Sequence, residues 1–224
     1  MSAPTATTPV VPDDAISIQH DPVAVTVVSS TSPMDAGDPS ILGLPIFAAA
    51  SIALGLTLIG LVSDAAAGTP IAIIFAATGI GLLISTVWAI RVGQTMVASV
   101  FGLFAGFWLS YAALVLGLTH NWYLVPAGDI ADTQLIFQIT WAVVFGALTF
   151  ASVRLPSGFT LVFGLVVLSL VLLIIGNLTT STFPVRLAGI TALAFAGVGV
   201  YLFLAAASAA TGGRSYSIGR PLAR

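Results

Sequence analysis

The sequence predicts an all-α membrane protein: a bundle of six transmembrane helices with its N- and C-termini in the cytoplasm. Three observations predict it. Hydrophobic residues make up 58% of the 224-residue chain and charged residues only 6%, whereas a soluble domain carries about 25% charged residues to solvate its surface. From Ile41 the chain resolves into six apolar blocks, each approaching the ~20 residues with which a helix crosses a hydrocarbon core about 30 Å thick. The blocks are continuous rather than alternating, which argues against a transmembrane β-barrel, and in lipid a helix is the other way to pair every backbone group.

Taken in order, residues 1–40 come first and differ from the rest. They are rich in Ser, Thr, Pro and Asp, hold Asp13, Asp14, Asp21, Asp35 and Asp38, and contain no Arg or Lys. A secretory signal would need a basic start followed by an apolar core. The segment reads as a disordered acidic tail, with docking of a partner as the alternative. The apolar blocks follow at roughly 41–62, 71–90, 96–117, 134–152, 157–177 and 187–210, and none contains Asp, Glu, Lys, Arg or His. Each Leu, Ile, Val or Phe near the bilayer centre favours insertion by ~0.3–0.6 kcal/mol, so such blocks insert with little opposition. Pro70, Pro126, Pro156 and Pro184 stand at or near block boundaries, where a missing N–H is tolerated. Residues 211–224 read as a short Arg-containing tail, leaving 41–210 as one transmembrane domain.

The arginines set the orientation. Six spans put both termini on one side, and that side receives Arg91, Arg154, Arg214, Arg220 and Arg224, against Arg186 alone on the other. The bias places both termini in the cytoplasm. The absence of Lys together with abundant Ala, Val and Gly suggests a bacterial source, and hence the bacterial cytoplasmic membrane.

Enzyme chemistry has little to work with. There is no Cys, so thiolate catalysis and cysteine metal sites are excluded. His20 falls in the tail and His120 in a loop, so no His pair shares a helix to hold a metal. Asp129 and Asp132 read as water-facing loop residues. The Gly-rich stretches lie within the apolar blocks, with no Lys for a phosphate loop. The net charge of −2, with no basic cluster, argues against nucleic acid binding. No enzyme activity, metal or cofactor is expected.

The spans do hold neutral polar groups. Ser and Thr are ordinary helix-packing residues in lipid. Gln138 and Asn177 are costlier to bury and should meet a partner or a water-filled path. Gly102 and Gly106 form a GxxxG pair, with Gly79 and Gly81 one helix earlier, a spacing that lets backbones approach within the bundle. No intramembrane acid or His offers a proton relay, so a proton would ride on the substrate, on water, or on an edge group such as Asp38 or Asp64. A weak monocarboxylic acid of pKa ~4.3 is neutral in roughly one molecule in 500 at pH 7. An uncharged polar lumen can pass that form, or pass an anion solvated by hydroxyls, amides and helix N-termini.

Four motifs then resemble those of one family. Asp38-Pro39-Ser40-Ile41-Leu42-Gly43-Leu44 is similar to the Asn-Pro-Ala-Pro-Leu-Gly signature of the acetate uptake transporter family, the succinate–acetate permeases. Gly93-Gln94-Thr95 resembles its Gly-Asn-Thr, Phe107-Trp108-Leu109-Ser110 its Phe-Trp-Leu-Thr, and Ile175-Gly176-Asn177-Leu178 its Ile-Gly-Asn. Order and span count agree over about residues 36–220. The resemblance implies six helices per subunit around a central path, assembly as a hexamer, and movement of acetate and related short carboxylates, succinate included, with proton symport and channel-like passage both open. It implies an apolar constriction at Phe47, Phe104 and Val166, and a signature formed by Asp38, Pro39, Leu42 and Gly43. Thr95, Ser110, Gln138 and Asn177 are the expected substrate path. The chain departs from the family where Asp38 replaces Asn, Ile41 the second Pro, Leu82 a Gln, Ala89 a Glu and Phe104 a common Tyr.

The leading expectation is therefore a permease or channel for a short carboxylate, with the lipid bilayer, the substrate and further copies of the chain as partners. A channel for small neutral solutes such as urea or short amides is the first alternative, separated by the pH dependence of flux. A non-transporting membrane assembly protein is the second, separated by a closed bundle without a polar path.

Overall fold

The computed structural model describes residues 37–62 and 68–223 of the chain. The acidic stretch up to Ala36, with His20, and the edge candidate Asp64 lie outside the described residues.

The described residues form seven α-helices: α1 (Ser40–Leu58), α2 (Thr69–Ala72), α3 (Ile80–Arg91), α4 (Thr95–Thr119), α5 (Ile130–Ala151), α6 (Ser157–Thr179) and α7 (Thr182–Ala210). A π-helical segment, Ile73–Gly79, joins α2 to α3 into one rod, and 3₁₀ turns at Ala127–Asp129 and Ser152–Arg154 flank α5. Six stretches are long and apolar enough to cross a membrane: Ser40–Leu58, Pro70–Arg91, Thr95–Thr119, Ala127–Arg154, Ser157–Thr179 and Thr182–Ala210. The chain is a multi-pass, all-α membrane protein with the six spans its sequence predicts.

Span ends differ from the apolar blocks because the helices run on through polar residues that apolarity alone does not mark. The fourth span begins at Ala127 rather than near 134, and Asp129 and Asp132 stand in its first turns, where negative charge suits a helix N-terminus. The sixth begins at Thr182, where the Ser181 Oγ accepts from Phe183 N–H at 3.4 Å and Pro184 falls in the first turn. Gly60 (φ +82°) and Gly93 (φ +75°) end their helices in the left-handed conformation. At Gly93 the Gln94 N–H reaches Ala89 O at 2.9 Å and the Gly93 N–H reaches Ile90 O at 3.1 Å, a Schellman closure that satisfies otherwise orphaned carbonyls. Hence the Gly of the Gly-Gln-Thr motif serves a turn.

The spans form a ring in chain order. α1 packs on the π segment and α3, α3 on α4, α5 on α6, α6 on α7, and α7 returns to α1. Small residues make the close seams. A Cβ at Gly81 would strike Ile46, and one at Gly79 would strike Leu109. Gly102 faces Thr86, and Gly106 faces Trp141, so the GxxxG pair packs within the chain. Thr78 Oγ1 donates to Ile46 O at 2.9 Å and ties the π segment to α1. The α4–α5 seam is wider and is filled by rings: Phe107 lies 5.4 Å from Trp141, 5.5 Å from Phe145 and 5.6 Å from Phe137. Such pairs contribute about 0.5–1.5 kcal/mol each beyond the area they bury.

Candidate functional site: two cavities and an aromatic plug

The ring encloses two cavities, one toward each end. The inner one, of about 80 Å³, lies among the first turns of α1, α4 and α6, with Leu44, Phe47, Phe104, Leu155, Phe159 and Phe163 in its wall. The outer one, of about 680 Å³, lies toward the last turns of α1, α4 and α6 and the first turns of α5 and α7, with Phe107, Tyr111, Gln134, Gln138 and Asn177 in its wall.

The boundary between them can be read along three helices. On α1, Phe47 borders the inner cavity and Leu54 the outer. On α4, Phe104 borders the inner and Phe107, one turn on, the outer. On α6, Val162 borders the inner and Leu170 the outer, and Val166 stands midway, 4% exposed. Phe47 and Phe104 both line the inner cavity, and Val166 is buried on α6 between Val162 and Leu170. There the Phe104 ring is 4.6 Å from Phe47, 4.6 Å from Phe145 in a stacked pair, and 6.0 Å from Phe163, while Phe195 packs 5.8 Å from Phe47. Rings packed this closely leave little room for water between them.

Polar groups gather on the outer side of the plug. The Asn177 Nδ2 donates to Ala131 O at 3.0 Å and lies 3.5 Å from Gln138 Oε1, joining α6 to α5 at the outer cavity. The two amides are thus partnered, and both border the outer cavity. Tyr111 and Gln134 also line that cavity and were not among the residues expected there. Their signal was spacing: Tyr111 lies one turn past Phe107, and Gln134 one turn before Gln138. Among the described residues the Tyr111 hydroxyl has no hydrogen-bond partner. Every polar residue in this wall is uncharged.

Other sequence candidates sit elsewhere. Thr95 is exposed at the start of α4, and Ser110, bonded to Gly106 O at 2.7 Å, lines neither cavity. Most membrane hydroxyls behave likewise: Ser51, Thr57, Ser85, Thr86 and Thr140 each donate to the carbonyl four residues back. They satisfy themselves on their own helix, so the middle of the axis is aromatic rather than hydroxyl-lined. In the signature, Asp38 Oδ1 accepts from Ser40 N–H at 2.9 Å in the turn before α1. Pro39 is buried, Leu42 is half-buried, and the Phe101 ring lies so close over Gly43 that any Cβ there would collide with it. Leu82 and Ala89, two of the departures from the family pattern, are fully buried. Trp108 is 1% exposed, and its Nε1 has no hydrogen-bond partner among the described residues.

Comparison with known proteins adds three findings. Residues 23–222 match the family model described as the GPR1/FUN34/yaaH family. A stretch of 146 residues, 64% of this chain, is 28% identical to the Accumulation of dyads protein 2 of Saccharomyces cerevisiae. The match spans 50% of that yeast protein's length. The fold is similar to the solved structure of the bacterial acetate channel SatP, with a TM-score of 0.72 and 23% identity, over 82% of this chain and 99% of that one.

Proposed function

The chain belongs to the GPR1/FUN34/yaaH family, and from that membership and the cavity geometry we propose that it is a channel or permease for acetate and related short carboxylates, succinate among them. The observation that carries this reading is the end-to-end arrangement of two cavities, parted only at the level of Phe47, Phe104 and Val166. The likeness in fold to an acetate channel supports it.

Substrate enters the outer cavity, where Tyr111, Gln134, Gln138 and Asn177 supply neutral donors and acceptors. No lysine or arginine lines that wall, so nothing there fixes a carboxylate as an ion pair. A bare carboxylate would meet the full desolvation penalty at the aromatic plug. The protonated acid meets only the smaller cost of one carboxyl group, so the neutral form is the one that passes, and a proton crosses with each molecule. The rings of Phe47 and Phe104 must part to let it through. The outer cavity has room for a four-carbon diacid as well as for acetate, and passage of succinate then requires protonation of both carboxyls.

The arginine bias supports an orientation with the inner cavity toward the cytoplasm, in a bacterial cytoplasmic membrane. Residues 1–40 are proposed to act as an acidic tail and 41–210 as the transport domain. Exposed apolar residues on the fourth span, Ile136, Val143 and Phe150, face lipid or further copies of the chain, in keeping with the hexamer that the family resemblance implies.

Uptake of labelled acetate into proteoliposomes tests the reading directly. No uptake above protein-free vesicles between pH 5 and 7 would remove it. The uncharged outer wall also favours a second reading, a channel for small neutral solutes. Urea flux that is independent of pH, without acetate flux, would establish that one instead.

A further inference from the structure

The residues after α7 turn back and fasten to the α5–α6 connection. Ser208 Oγ donates to Arg214 O at 2.7 Å and turns the chain at the end of α7. Tyr201 OH donates to Ser217 O at 2.8 Å, and its ring packs edge-on against Tyr216 at 6.0 Å. Ile218 packs on the core, and its carbonyl accepts from Gly158 N–H at 3.1 Å. Pro221 pairs with Pro156 in an antiparallel bridge. The N–H groups of Leu222 and Ala223 converge on Val153 O at 2.9 and 3.0 Å. Gly219, at φ +88°, lies so close to Ser157 that no side chain fits.

The clamped connection is also a wall of the inner cavity. Leu155 and Phe159 belong to that wall, and the strap grips the backbone on both sides of Leu155, at Val153 and at Gly158. We propose that residues 214–223 form a latch that holds the inner cavity shut by clamping the α5–α6 turn, so that lifting the strap opens the cavity toward the arginine-rich side. The turn has a second, internal tether. Thr160 Oγ1 donates to Ser152 O at 2.9 Å, and Ser152 Oγ lies 2.7 Å from Thr149 O, both side chains buried. The fold therefore keeps α5 joined to α6 when the strap is released. Local opening of an element held mainly by a few exposed backbone bonds is the kind of motion that low-stability segments undergo.

The latch itself needs no transport assay; only its effect on flux rests on the function proposed above. The chain has no cysteine, so Leu155→Cys is a single thiol in the cavity wall. Its modification by a charged, membrane-impermeant maleimide, added from the arginine-rich side, reports opening. Gly219→Val lifts the strap by strain and collision with Ser157. Truncation after Ser215 removes it, so the test survives misfolding of either variant. The expected result in the folded variant is labelling accelerated about tenfold or more over the Leu155→Cys parent, with faster acetate uptake in proteoliposomes. Labelling within twofold of the parent, while the Leu222 amide exchanges freely or is absent, overturns the latch. Accelerated labelling in a protein that passes no acetate in any variant keeps the latch and removes the transport reading.

Discussion

The ring of Phe104 on α4 lies 4.6 Å from that of Phe47 on α1, tilted by 60°, and both rings line the inner cavity. Phe145 stacks on the far side of Phe104 at the same distance. With Phe163 and Phe195 the cluster draws on five helices, α1, α4, α5, α6 and α7.

Gly43 is the tightest point of the signature. The Phe101 ring occupies the space a Cβ would take, and both residues are buried. Gly43→Ala is expected to lower stability by about 1–3 kcal/mol through overpacking. Thermal unfolding in detergent checks this, and Phe101→Leu in the same chain should recover part of the loss. An unchanged melting temperature would mean that the ring moves aside freely.

Asn177 joins α6 to α5 at the mouth of the outer cavity. Asn177→Ala removes the donor to Ala131 O and the contact with Gln138. It is expected to destabilise by about 0.6 kcal/mol, the average for a hydrogen bond between membrane helices, and to weaken acetate half-saturation several-fold. Concentration dependence of uptake is the check, and equal half-saturation in both proteins would place the substrate elsewhere.

Thr180 adopts a left-handed conformation (φ +49°) at the end of α6, where Ser181 N–H reaches Gly176 O at 3.2 Å. A residue with a Cβ costs about 1–2 kcal/mol in that conformation. Thr180→Gly should therefore raise the melting temperature. A lower melting temperature would show that the Thr side chain contributes more than its backbone strain removes.

Passage of the neutral acid fixes the sign of the pH response. Above the acid's pKa the protonated fraction rises about tenfold for each unit by which pH falls. At fixed total acetate, uptake should climb by about that factor from pH 7 to pH 6. Flux that is level across this range would mean that the anion crosses.

Much of the fold was legible in the sequence because lipid imposes one simple rule. Twenty apolar residues without charge must be a helix, and six such runs gave six spans. Gln138 and Asn177 were legible for the same reason, since amides in a membrane need partners. The hydroxyls were not, because Ser110 or Thr140 can satisfy itself on its own helix and composition does not show which way it turns. Thr95 carries a family motif, yet it stands exposed at the start of α4. The strap after α7 escaped notice because short polar segments carry no periodicity, and its hold depends on backbone groups of Val153 and Gly158 that every sequence possesses. Phe145, Phe163 and Phe195 gave no signal as plug residues, for a phenylalanine in a span reads first as core.

The most direct measurement is acetate uptake by Phe104→Ala in proteoliposomes, beside the parent and Phe104→Leu, at matched amounts of folded protein. Loss of the ring opens the level shared with Phe47 and Val166. Initial uptake should rise several-fold in Phe104→Ala and less in Phe104→Leu. Uptake equal to or below the parent, from protein that remains monodisperse, would contradict the plug and leave Phe104 an ordinary core residue.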